Sequence, residues 1–144
     1  MNESYICEEC KKNTYFHWCN ECNAKHFQQN FENWTSGNDD IDKLIKEAQL
    51  SANNCEKVLE WIPYNRFYEI EYIAEGGFGT MYKTKWIDGR IRNWDNENQN
   101  WKRWNSNKFV ALKSLNNSQN VTMEFLNEVK INLFYLIKLK YEIY

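Results

Sequence analysis

The sequence predicts an α+β protein in three parts: a small cysteine-hook segment, a linking helix, and an antiparallel sheet followed by a further helix. Three observations carry that expectation. Four cysteines read Cys7-x2-Cys10-x8-Cys19-x2-Cys22. Ile41, Leu44, Ile45 and Ala48 recur at the 3.6-residue period of an amphipathic helix. Further on, alternating β-branched and aromatic residues flank a glycine-rich turn at 76–79, which is a hairpin pattern. The boundaries follow: residues 1–30 for the cysteine segment, 31–62 for a linker with its helix at about 39–52, and 63–144 for the sheet region.

Each C-x-x-C places two thiols on one tight turn, and two such turns can grip a metal from opposite sides. Zinc favours four thiolates in a tetrahedron, and the ion supplies folding energy that so short a segment lacks. Cys7, Cys10, Cys19 and Cys22 are therefore the candidate ligands of a structural zinc, in a ribbon- or knuckle-like segment. The gap of eight is shorter than in most zinc ribbons, and His17 and His26 lie close enough in sequence to substitute for a badly placed thiol. Unliganded thiols are the plainer alternative. Cys55 is left over as a spare thiol.

After the hooks, Phe27, Phe31 and Trp34 form an apolar patch. Thr35 to Asp40 is turn chemistry leading into a helix, with Asn38 or Asp39 as its cap and acids in the first turn. The helix ends near Ala52-Asn53-Asn54, and Pro63 then biases Ile62 towards an extended entry into the first sheet strand.

Tyr68, Ile70 and Tyr72 lead into Ile73-Ala74-Glu75-Gly76-Gly77-Phe78-Gly79-Thr80-Met81-Tyr82. Three glycines in four residues leave the turn's backbone open to close approach by a ligand, and its N–H groups suit phosphate oxygens. Downstream, Val110-Ala111-Leu112-Lys113 is a strand pattern that puts Ala111 and Lys113 on one face. Glu128 follows in a segment of helical spacing, positioned to offer that lysine a counter-charge.

At these residues the chain resembles the small lobe of a protein kinase of the tyrosine-kinase-like group. That family pairs a Gly-rich loop with a V-A-I-K strand and a helix C glutamate. On that resemblance Gly76, Gly77, Phe78 and Gly79 form the phosphate loop, and Met81 and Ala111 form the adenine roof. Lys113 is the phosphate lysine and Glu128 its ion-pair partner. Ala74 stands where the family has its first loop glycine. The phrases Trp34-Thr35-Ser36-Gly37-Asn38 and Glu60-Trp61-Ile62-Pro63-Tyr64 resemble those of a fungal set in which a paired C-x-x-C segment precedes the kinase domain. The likeness covers about residues 5–130.

The resemblance implies ATP and Mg²⁺ as ligands. Yet no H-R-D-x-x-x-x-N or D-F-G motif occurs, so neither a base aspartate nor the metal-binding residues are present. The expectation is a kinase-family fragment that is inactive by itself. The alternative is a non-catalytic, zinc-bearing, partner-binding module, pseudokinase-like or a truncated gene product. For residues 131–144, strand and helix readings both stand.

With 42 % hydrophobic and 17 % aromatic residues the chain can pack a core. Net charge is −2, with the acids concentrated in residues 1–75 and the bases in 76–144. The start of the chain does not read as a signal peptide, and no apolar run is long enough for a bilayer, so an intracellular, cytoplasmic protein is expected. Between Trp86 and Asn107 lies an insert holding Trp94, Trp101 and Trp104 beside Arg90, Arg92, Lys102 and Arg103. Stacking plus charge invites a nucleic-acid reading. An extended hairpin whose tryptophans pack on the sheet lobe is preferred, with the insert or the cysteine segment as a surface for a protein partner.

Overall fold

The computed structural model of the chain describes residues 4–76 and 79–115. Gly77, Phe78, Glu128, the helix expected around Glu128 and the segment 131–144 lie outside the described residues. The described part is α+β with few helices and antiparallel sheets. In chain order it runs β1 (Ser4–Ile6), β2 (Asn13–Tyr15), α1 (Asn20–Gln29), α2 (Asp39–Ser51), β3 (Phe67–Gly76), β4 (Gly79–Trp86), β5 (Arg90–Asp95), β6 (Asn100–Trp104) and β7 (Lys108–Leu115). No described helix is long and apolar enough to cross a membrane.

The chain divides into two compact units, and the division does not follow sequence order. The first unit holds the described part of residues 1–61 together with 91–104; the second holds the described parts of 62–90 and of 105–144.

In the first unit, β1 and β2 form an antiparallel two-stranded ribbon with Ser4 opposite Tyr15 and Ile6 opposite Asn13. So short a ribbon is not stable alone. The helices follow from their termini. Cys19 is the extended residue before α1. At α2, Asn38 Oδ1 accepts from the Asp40 and Ile41 N–H groups, satisfying two donors that the first turn leaves unpaired. Three acids, Asp39, Asp40 and Asp42, occupy that positive end. Asp42 turns back to accept from the Thr35 and Ser36 hydroxyls and from the Ser36 N–H, which anchors the preceding loop.

The core of this unit is Trp18, Phe27, Ala52, Val58 and Ile91, all buried, with Phe31, Cys55 and Trp101 packed against them. Trp18 also donates its indole N–H to the Ala52 carbonyl at 3.0 Å, tying the ribbon to the end of α2. Ile91 and Trp101 belong to the β5–β6 hairpin, the long insert between two strands of the other unit. Trp101 stacks on Phe27 with centroids 4.4 Å apart and on Trp18 at 6.0 Å. Trp94 and Trp101 of the hairpin thus pack on the cysteine segment and α1, which corrects the expectation that they serve the sheet lobe. The reason is apolar demand. The cysteine segment and α1 offer few large hydrophobes, and Trp18 and Phe27 need a cover that the local chain does not supply. Glu60 and Arg103 clasp the hairpin from the side in a two-pronged ion pair of 2.7 and 3.1 Å.

The second unit contains a three-stranded antiparallel sheet in the order β3-β4-β7. Two irregularities interrupt the β3–β4 register, one between Tyr68 and Glu71, where Glu69 takes a positive φ of 53°, and one between Tyr72 and Ala74. At the first, the fully buried Thr84 donates its hydroxyl to the Tyr68 carbonyl at 2.7 Å. A carbonyl that the bulge would leave unpaired is thereby satisfied. Arg66 holds Asp88 through two hydrogen bonds, and Gly89 beyond it has φ 76°, the left-handed conformation glycine tolerates.

Candidate metal centre

The two C-x-x-C hooks reach the same point by different local structures. Cys7 opens a tight turn closed at both ends: the Lys11 N–H donates to the Cys7 carbonyl and the Cys7 N–H to the Lys12 carbonyl, each at 2.9 Å. Lys11 has φ 62°, which brings the chain back into β2 and leaves Cys10 facing Cys7. Cys19 and Cys22 stand at the start of α1, Cys19 as its cap and Cys22 in the first turn. The positive end of the helix dipole points at these two sulfurs and favours thiolate there.

The result is four sulfurs in one cluster. Cys7 Sγ lies 3.8 Å from Cys22 Sγ, and Cys10 Sγ lies 3.7 Å from Cys19 Sγ. All four sulfur atoms fall within 4.8 Å of one another. A tetrahedral ion with metal–sulfur bonds of about 2.3 Å requires sulfurs about 3.8 Å apart. Two of the six separations match that value and none exceeds 4.8 Å, so these four cysteines could hold a metal such as zinc. Neither His17 nor His26 belongs to the cluster: the His17 ring lies 3.5 Å from that of Tyr5, and His26 Nε2 meets Glu9 Oε1 at 2.6 Å.

The thiols are not equivalent. A backbone hydrogen bond at Lys12 leads in lowering Cys10 to about 7, with support from the neighbouring sulfurs. Burial pushes Cys19 and Cys22 upward. A group that is costly to ionise without a counter-ion is the kind a dication would stabilise as thiolate.

A second layer surrounds the sulfurs. Glu9, inside the first hook, is bound to His26, whose ring stacks on Trp94 with centroids 3.6 Å apart and planes within 11°. Trp94 in turn meets Trp101 edge-on at 4.9 Å. The hairpin, the first hook and α1 are thereby joined through one imidazole. Sequence reasoning did not find Glu9, and it took His26 only as a substitute ligand. The only signal was that Glu9 adjoins Cys10 and that His26 shares α1 with Cys22.

The residues singled out for nucleotide binding occupy the other unit. Gly76 pairs with Gly79 across the β3–β4 turn. Met81 lies opposite Ala74 on one side and Lys113 on the other, and Ala111 lies opposite Lys83. Directly opposed residues of antiparallel strands share a face, so Ala74, Met81, Lys83, Ala111 and Lys113 have register positions on one face of the sheet. Lys83 Nζ stands 4.3 Å from the centroid of the Phe109 ring on that face.

Comparison of the chain with protein-family models, with curated proteins and with solved structures gives no match.

Proposed function

We propose that residues 4–29 are a structural zinc module, with Cys7, Cys10, Cys19 and Cys22 as the four ligands, and that the chain acts through binding. The observation that carries this is the sulfur spacing of 3.7 and 3.8 Å within a single cluster. Four protein ligands close the coordination sphere and leave no position for substrate, which suits a structural and not a catalytic ion. Zinc in particular is favoured by the all-thiolate donor set. Elemental analysis of reduced, purified protein should find about one zinc per chain, and Cys19→Ser should release it. Metal-free protein that keeps its fold would refute this reading.

For the second unit we propose a protein-kinase-type small-lobe sheet. Its support is the strand order β3-β4-β7, with Gly76 paired to Gly79 between the first two strands and Met81, Ala111 and Lys113 at register positions on one face. On that reading these residues would face ATP, with Gly77, Phe78 and Glu128 as its further contacts. The chain alone transfers no phosphate, because the base aspartate and the magnesium ligands of that chemistry are not in its sequence. An ATPase and autophosphorylation assay with Mg²⁺, run beside Lys113→Met, tests this. Turnover that Lys113→Met abolishes would overturn it.

A further inference from the structure

We propose that the cleft between the cysteine hooks and the β5–β6 hairpin is a docking site for a lysine- or arginine-bearing segment of a partner protein. The cleft has a volume of about 210 Å³ and is lined by Asn23 of α1 and the start of the hairpin turn on one side and by Cys7, Cys19 and Cys22 of the metal centre on the other. The space beside the sulfurs suits one long side chain, and it is too small for a folded element.

Two independent observations point to this occupant. The first is a set of buried polar atoms without partners: Asn23 Nδ2, Trp94 Nε1 and Asn93 Oδ1. Asn23 is only 4 % exposed. Buried amide and indole groups are almost always hydrogen-bonded, and Asn23, more than nine-tenths buried in the wall of this cleft, has an amide nitrogen that a ligand carbonyl would satisfy. Two of these atoms donate and one accepts. A peptide group is their complement, since its carbonyl has two lone pairs and its nitrogen one hydrogen.

The second observation is charge. Glu8, Asp95 and Glu97 line the same cleft, against Lys102 as its one lysine or arginine. Asp95 is committed to the hairpin turn, where Asn98 Nδ2 donates to it at 2.7 Å, while Glu8 and Glu97 are exposed. The surrounding unit carries thirteen Asp and Glu against nine Lys and Arg over residues 1–61 and 91–104. Four thiolates around a dication would add two further negative charges. Such a field attracts a cationic segment and repels phosphate, which argues against nucleic acid on this face despite the tryptophans.

The test uses the full chain as purified and a short fluorescein-labelled lysine–glycine peptide, followed by anisotropy at two salt concentrations. The lysine peptide should bind and weaken with salt. A counterpart with acetylated lysines should bind roughly tenfold more weakly or not at all. Glu8→Gln/Glu97→Gln, two exposed changes that leave the fold alone, should weaken the lysine peptide by roughly tenfold. Asn23→Ala should weaken the lysine peptide, and an unchanged affinity overturns the role given to that amide. The proposal is overturned if the lysine peptide does not bind or if the acetylated peptide binds equally well. It is also overturned if the double variant binds like the parent, or if a labelled single-stranded RNA binds in preference to the peptide. Metal content is read on the same samples: a metal-loaded sample that does not bind the lysine peptide overturns this proposal alone, and a folded sample without metal overturns the zinc reading alone.

Discussion

Replacing Trp101 by alanine tests whether the inserted hairpin completes the cysteine module. Trp101 contacts four aromatic rings of that unit: Phe27 at 4.4 Å, Trp94 at 4.9 Å, Trp18 at 6.0 Å and His26 at 6.2 Å between centroids. Truncating a well-packed tryptophan costs about 3–5 kcal/mol, and Trp101 is partly exposed, so the expected loss is about 3 kcal/mol. Stabilities of about 0.05–0.15 kcal/mol per residue give a unit of this size about 4–11 kcal/mol in total. The substitution should therefore remove a large share of its stability, and it should do so in a segment some eighty residues away in sequence. Hydrogen exchange of the α1 amides reads this directly, with protection falling by roughly a hundredfold, as about 3 kcal/mol implies. Trp104→Ala is the control. Trp104 is 36 % exposed, and its side chain lies under Arg92 at 5.4 Å. An exposed cation–π contact is worth about 0.5–1 kcal/mol. If Trp101→Ala changes α1 protection no more than Trp104→Ala does, the hairpin is not part of the module's core.

Three further outcomes follow from the same geometry. Burial opposes the Asp42 charge, but hydrogen bonds from Ser36 and Thr35, together with Lys46, outweigh it and hold the carboxyl below the ordinary aspartate range. Its contribution to stability is then complete above the unfolded value of about 3.9 and is lost as pH falls through the lower folded value. Asp42→Asn should remove that acid limb from a plot of melting temperature against pH; an unchanged limb would refute the assignment. Glu60→Gln leaves the half-buried Arg103 guanidinium with a neutral partner and should cost about 1–2 kcal/mol, read by urea denaturation. Thr84→Val removes the donor to the Tyr68 carbonyl inside a fully buried site and should cost about 1–3 kcal/mol, with loss of exchange protection along β3 and β4.

How much of this was legible in the sequence depends on the range of the interaction responsible. The cysteine hooks were legible because two residues between ligands place both thiols on one turn, whatever surrounds it. The cap of α2 was legible for the same reason, since Asn38 acts on N–H groups two and three residues ahead. The extended segments now seen as β3 and β4 were legible from the two-residue alternation of a strand. By contrast β1 and β2, at three residues each, are too short to show a period. The helix α1 carries one large hydrophobe on its buried side, Phe27, and so left almost no pattern to read.

The hairpin divides the two kinds of information most sharply. By itself the sequence determined that residues 87–104 turn back on themselves and that Trp94 and Trp101 want cover. It did not determine which surface would provide that cover, and local reasoning chose the neighbouring sheet. Only the tertiary structure brought Trp101 onto Phe27 and Trp18, His26 between Glu9 and Trp94, and Asn23 to the cleft beside them. The physical reason is that the hydrophobic effect has no direction. It specifies that an indole leaves water, while the identity of its neighbour is set by where unmatched apolar area remains once every other segment has folded.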